Sequence, residues 1–108
     1  MSDTIRRPSR AWYAFLADLG DLGVCRDHMA HVLARVAELV RVGAAESHIE
    51  ALDSGSVAFT WSDGTRYRCV CVAPDGTTRC FADDGVVPAG STHPAGDPLP
   101  QSFLAALA

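Results

Sequence analysis

A chain of 108 residues with a formal charge of −4, 48% apolar and 20% charged, fits one globular domain, long enough to bury roughly 60–70% of its unfolded surface without staples. That balance excludes a disordered chain, and the acidic total argues against a protein whose main task is gripping nucleic acid. All nine basic residues are arginine, a usage that fits a GC-rich genome and also suits planar two-point contacts at an interface.

Residues 1–8 read as a polar arm carrying Arg6 and Arg7 and ending at Pro8. Nothing there has the pattern of a secretory leader, and no apolar run approaches the roughly 20 residues of a bilayer span. A cytoplasmic chain with reduced thiols is therefore expected.

Ser9 is a candidate N-cap for a first helix, about 10–19, in which Trp12, Phe15, Leu16 and Leu19 share one face before Gly20 stops it. A second helix is expected over about 24–42, ending before Gly43. Its apolar stripe is Cys25, Met29, Val32, Leu33, Val36, Leu39 and Val40, with Arg26, Asp27, Arg35, Glu38 and Arg41 on the wet side. The short link between the two predicts an antiparallel αα-hairpin. Read as a helix-turn-helix, the second helix would offer phosphates a poor match, because Asp27 and Glu38 interrupt its arginines.

From residue 48 the apolar period changes to two, and "DSG", "DG" and "PDG" punctuate it as turns. Four strands follow, about 48–52, 56–62, 65–73 and 77–82, although "AAESHIEAL" also suits a short helix. A two-residue Asp63-Gly64 turn would pair Trp61 with Arg66 and Phe59 with Arg68, whereas three-residue loops pair Ile49 with Phe59 and Cys71 with Arg79. The expected fold is α+β: an N-terminal αα-hairpin packed on one face of a four-stranded antiparallel meander. The single domain would cover 9–82. Residues 83–108 would form an irregular Pro/Gly-rich tail, with a possible terminal helix docking Phe103, Leu104 and Leu107.

Strand phase sorts the side chains. Ile49, Ala51, Val57, Phe59, Trp61, Val70, Val72 and Cys80 fall on the face for the helices. His48, Glu50, Leu52, Ala58, Thr60, Tyr67, Cys69, Cys71, Arg79 and Phe81 fall on the other. With a three-residue loop the cysteines in "RYRCVCVAPDGTTRC" are thereby separated, Cys80 from Cys69 and Cys71, whereas a two-residue Asp75-Gly76 loop would set Cys71 opposite Cys80 and restore a thiol site. Cys69 and Cys71 lie nearly 7 Å apart along the strand by rise alone, at the edge of disulfide reach.

No zinc knuckle accompanies these thiols. Cys25, His28 and His31 at i, i+3, i+6 spread over too wide an arc for one ligand set, and both histidines are expected on the polar side or boundary of the helix. HExxH, GxSxG, GxxxxGK[ST] and GxGxxG are all missing, so no catalytic residue, cofactor or metal is expected. Arg66, Arg68, Arg79, Tyr67 and Trp61 have the composition of a single-strand stacking platform. Yet residues 56–82 carry a surplus of only one positive charge.

An apolar second face with interspersed charge has the composition of a protein interface. The expected contact residues are Leu52, Glu50, Tyr67, Cys69, Cys71, Arg79 and Phe81. The expected function is a non-enzymatic protein–protein interaction module, either a homodimer or a regulator or inhibitor of a larger partner, of the kind phages and mobile elements direct at host defence. A single-stranded nucleic-acid binder and a thiol or metal-binding domain are the alternatives, and no membrane partner is expected.

Overall fold

The computed structural model describes residues 24–44, 47–62, 64, 66–83 and 89–107. The arm and the predicted first helix, and with them the αα-hairpin, lie outside the described residues. Helix α1 spans Arg26–Arg41, inside the expected limits of about 24–42. Cys25 caps it, its Sγ accepting from the His28 amide at 3.5 Å. At the other end Gly43 takes φ 75°, while Ala44 N–H reaches the Leu39 carbonyl and Gly43 N–H the Val40 carbonyl, both at 3.0 Å. That is the Schellman arrangement, which satisfies carbonyls the helix leaves open.

Five strands follow, β1 His48–Ala51, β2 Val57–Ser62, β3 Tyr67–Val72, β4 Thr78–Asp83 and β5 Ala89–His93. They form one antiparallel sheet in the order β1-β2-β3-β4-β5. A short helix α2, Gln101–Ala105, ends the described chain. No helix among the described residues is long and apolar enough to cross a membrane.

Both three-residue loops form as expected. Leu52 N–H bonds the Ser56 carbonyl at 2.8 Å, and Ala73 N–H the Thr77 carbonyl at 2.9 Å. Ile49 opposes Phe59, and Cys71 opposes Arg79. In "PDG", Gly76 N–H closes on the Ala73 carbonyl at 2.9 Å with φ 89°, a backbone shape that a Cβ opposes. The Asp75 carboxylate accepts from Thr77 N–H at 2.8 Å, which holds its pKa below the ordinary range.

Several expectations are corrected. The meander has five strands, because "AGSTH" pairs along β4, with Arg79 opposite Thr92 and Cys80 opposite Ser91. Without that partner, β4 would be left an unpaired edge. The β2–β3 register is displaced by two residues from the Asp63-Gly64 expectation. Phe59 faces Val70, Val57 faces Val72 and Trp61 faces Arg68, not Arg66. The shift puts valines rather than Arg68 beside Phe59 in the core, and burial outweighs the local turn preference. A slip of two keeps every side chain on its face, so the sorting survives.

The α1 stripe is rotated from the expected one. His28, Val32, Arg35, Val36, Leu39 and Val40 are buried, whereas Cys25 is exposed and Leu33 stands 47% exposed. His28, placed at the polar boundary by sequence, puts Nε2 2.8 Å from the Val72 carbonyl oxygen. Ala51 is exposed at the sheet edge rather than in the core.

The core lies between α1, the tail and one sheet face: Val32, Val36 and Leu39 against Val57, Phe59, Val70, Val72 and Cys80. The tail is not loose. Leu99, Leu104 and Leu107 are buried in the same cluster and Phe103 packs against it. Arg35, expected on the wet side, is 4% exposed and binds the tail in place. Its Nε donates to Thr78 Oγ1 at 2.8 Å, and its terminal nitrogens reach Glu38 at 2.6 Å and the Asp97 and Pro94 carbonyls at 2.6 and 3.1 Å. Glu38, also expected to be wet, is half-buried and accepts from Leu99 N–H at 2.9 Å.

Candidate functional site

The sheet face turned away from α1 is built by cross-strand rows. Glu50, Ala58, Cys71, Arg79 and Thr92 make one row, and Thr60, Cys69, Phe81 and Gly90 the next. Tyr67 follows, between Ser62 and Asp83. Strand alternation places these side chains together, and the tail, which packs with α1, leaves the aromatic end open. Tyr67 and Phe81 are each 39% exposed and Leu52 is 36% exposed. The two rings meet edge-on, with centroids 6.0 Å apart and planes at 64°, within the preferred geometry for aromatic pairs.

An open groove of about 670 Å3 runs beside them, lined by Leu52, Tyr67, Cys71, Arg79 and Phe81, with Thr92 of β5 on its wall. All seven expected contact residues therefore lie on this face or its β1 edge. Gly90 and Thr92 join them and were missed with their strand; a short polar segment among prolines carries no strand period to find it by.

The thiols differ from expectation in one respect. Cys80 faces the core as expected, but Cys69 and Cys71 turn toward each other, and their Sγ atoms are 3.4 Å apart. Burial pushes the Cys71 thiol up to about 12, its hydrogen bond and proximity to Cys69 add to the rise, and Arg79 opposes it. Burial likewise raises Cys80 to about 11, against the pull of Arg35. Burial and then Cys69 raise the Tyr67 hydroxyl as well.

Both thiols thus hold their protons more tightly in the folded chain than at the ordinary 9.0. The unfolded chain loses its thiol protons first as pH rises, so their contribution to stability is full below pH 9.0 and declines through about 11 and 12. Thermal melts should fall over that window, and Cys71→Ser should flatten the upper part of the decline. Alkylation of Cys71 in dilute protein, followed by peptide mass, should be slow at neutral pH. Its rate should rise about tenfold per pH unit, because only the thiolate attacks.

Among the described residues no group of three or more His, Cys, Asp or Glu side chains is placed to hold a metal. Of the arginine–aromatic set, Tyr67 and Arg79 share the open face, whereas Trp61 and Arg68 oppose each other on the α1 side. The set therefore does not form one stacking platform. No protein-family model, curated protein or solved structure matches this chain.

Proposed function

We propose that this chain is a non-enzymatic protein-interaction module whose contact surface is the open sheet face, and that a second copy of the chain occupies it. The observation that carries the reading is the exposed Tyr67–Phe81 pair, set with Leu52 around an open groove on the face that neither α1 nor the tail covers. Aromatic side chains with an arginine at their edge are the composition of an interface centre.

The charge pattern favours self-association. One row begins with Glu50 on β1 and reaches Arg79 on β4, with small Ala58 and Cys71 between them. Strands are spaced about 4.8 Å apart, so the two charges lie about 14 Å apart across the sheet. A two-fold axis running along the strands between β2 and β3 reverses the row. It sets each Glu50 opposite Arg79 of the second copy, at the roughly 10 Å separation of packed sheets. The same axis brings Phe81 over His48, its row-mate on β1.

Light scattering on the eluting protein should give twice the 11.4 kDa chain mass, and Phe81→Asp should give the single-chain mass with the circular dichroism melt unchanged. Glu50→Arg alone should weaken the dimer, and adding Arg79→Glu should restore it. A wild-type chain that elutes at single-chain mass up to its solubility limit, or a double charge reversal that fails to restore the Glu50→Arg loss, would sink the reading.

A further inference from the structure

The two sulfur atoms on β3 form a second feature, independent of what covers the sheet. Cys69 and Cys71 sit at i and i+2 on the central strand, hydrogen-bonded to β2 on one side and β4 on the other. Their backbone spacing is therefore held by two neighbours, and the side chains converge to 3.4 Å between sulfurs. Both thiols are free, and Cys25 and Cys80 lie elsewhere, on the helix cap and in the core. The site offers two sulfur donors at short range, beside the aromatic wall of Tyr67 and Phe81.

That donor set selects its ligand. Zinc asks for four ligands, and no third His, Cys, Asp or Glu joins the pair among the described residues. A linear two-sulfur ion would hold its donors a full two bond lengths apart, well beyond the observed separation. A trivalent metalloid carrying one organic substituent needs two sulfurs, binds them at a bent angle and projects the substituent outward. We propose that Cys69 and Cys71 form a chelating site for monosubstituted trivalent arsenicals, with the substituent lying against Tyr67 and Phe81.

The chemistry balances without an oxidant. An R–As(OH)2 group and two thiols give R–As(S)2 and two waters: two As–O and two S–H bonds break, and two As–S and two new O–H bonds form. Arsenic stays trivalent, and each thiol proton leaves on a hydroxyl. No net proton is released, so the tightly held Cys71 proton does not oppose this ligand as it opposes a cation that must first strip the thiol.

The probe is phenylarsine oxide, which loses its oxygen as one water on the same two thiols. Intact-mass spectrometry of the folded chain should show one phenylarsenic unit added and two hydrogens lost. The adduct should block alkylation at both cysteines and should reverse with a small dithiol but not with an equal concentration of thiol as monothiol. Cys69→Ser and Cys71→Ser should each abolish it, with folding checked by circular dichroism, and the Cys25→Ser/Cys80→Ser double variant should retain it.

Because a second copy would cover these sulfurs, the measurement is repeated on Glu50→Arg, which leaves both thiols and both rings in place. An adduct that survives Cys71→Ser, or none in either the wild type or Glu50→Arg, would overturn the assignment whatever the state of assembly.

Discussion

Arg35→Met is expected to destabilise the fold by about 3–5 kcal/mol, the usual loss when one partner of a buried ion pair is removed. The Arg35 side chain is 4% exposed and joins three elements through four acceptors: Glu38 on its own helix, Thr78 on β4, and the carbonyls of Pro94 and Asp97 in the turn after β5. Methionine fills much of the space but supplies no donor. Two carbonyls and the Glu38 carboxylate lose a charged partner, and Leu99 N–H remains bonded to a carboxylate no longer held in place. Urea unfolding should show the midpoint falling with little change of slope, and the melting temperature should drop by on the order of 15 °C. Arg35→Lys should recover little, since an ammonium lacks the planar fork that reaches all four acceptors. A loss below about 1 kcal/mol, the scale of an exposed pair, would show that the tail is held by Leu99, Leu104 and Leu107 alone.

Gly76→Ala is expected to be nearly as damaging, about 2–5 kcal/mol. The residue sits at φ 89°, where a side chain costs about 1–2 kcal/mol. A Cβ there would stand 2.6 Å from Ala95 Cβ and 2.6 Å from His31 Nδ1, overpacking that adds about 1–3 kcal/mol. His31 can swing away, but Ala95 Cβ moves only with its backbone, in the turn that Arg35 holds. Gly96→Ala is the internal control: it shares φ 89° but its Cβ would meet nothing within 4 Å. It should therefore show the backbone part alone. Equal losses at both positions in denaturant titrations would remove the close approach between the β3–β4 loop and the tail from the account.

Much of the open face was legible in the sequence because its signals are local. "PDG" and "DSG" specify loop length through the conformational needs of Asp and Gly, and loop length sets which residues oppose one another. Tyr67, Cys69, Cys71, Arg79 and Phe81 fall together for that reason alone. The "DG" between β2 and β3 misled in register but not in face, since the displacement is an even number of residues. The sulfur contact was not legible: strand rise places the two Cα atoms apart, and only the side-chain rotamers bring the thiols to 3.4 Å.

What the sequence by itself determined is the change from a helical to a strand period near residue 48 and the division of the hairpins into a core face and a second apolar face. Period and turn chemistry act over a few residues, so they survive any rearrangement farther along the chain. The tertiary structure alone decided the fifth strand, the burial of Arg35 and His28, and the side of the sheet on which the tail docks. Those outcomes depend on partners 43 to 62 residues away, Thr78 and Asp97 for Arg35 and Val72 for His28. A polar side chain enters a core only where such distant groups complete its hydrogen bonds, and no local pattern records that they will be there.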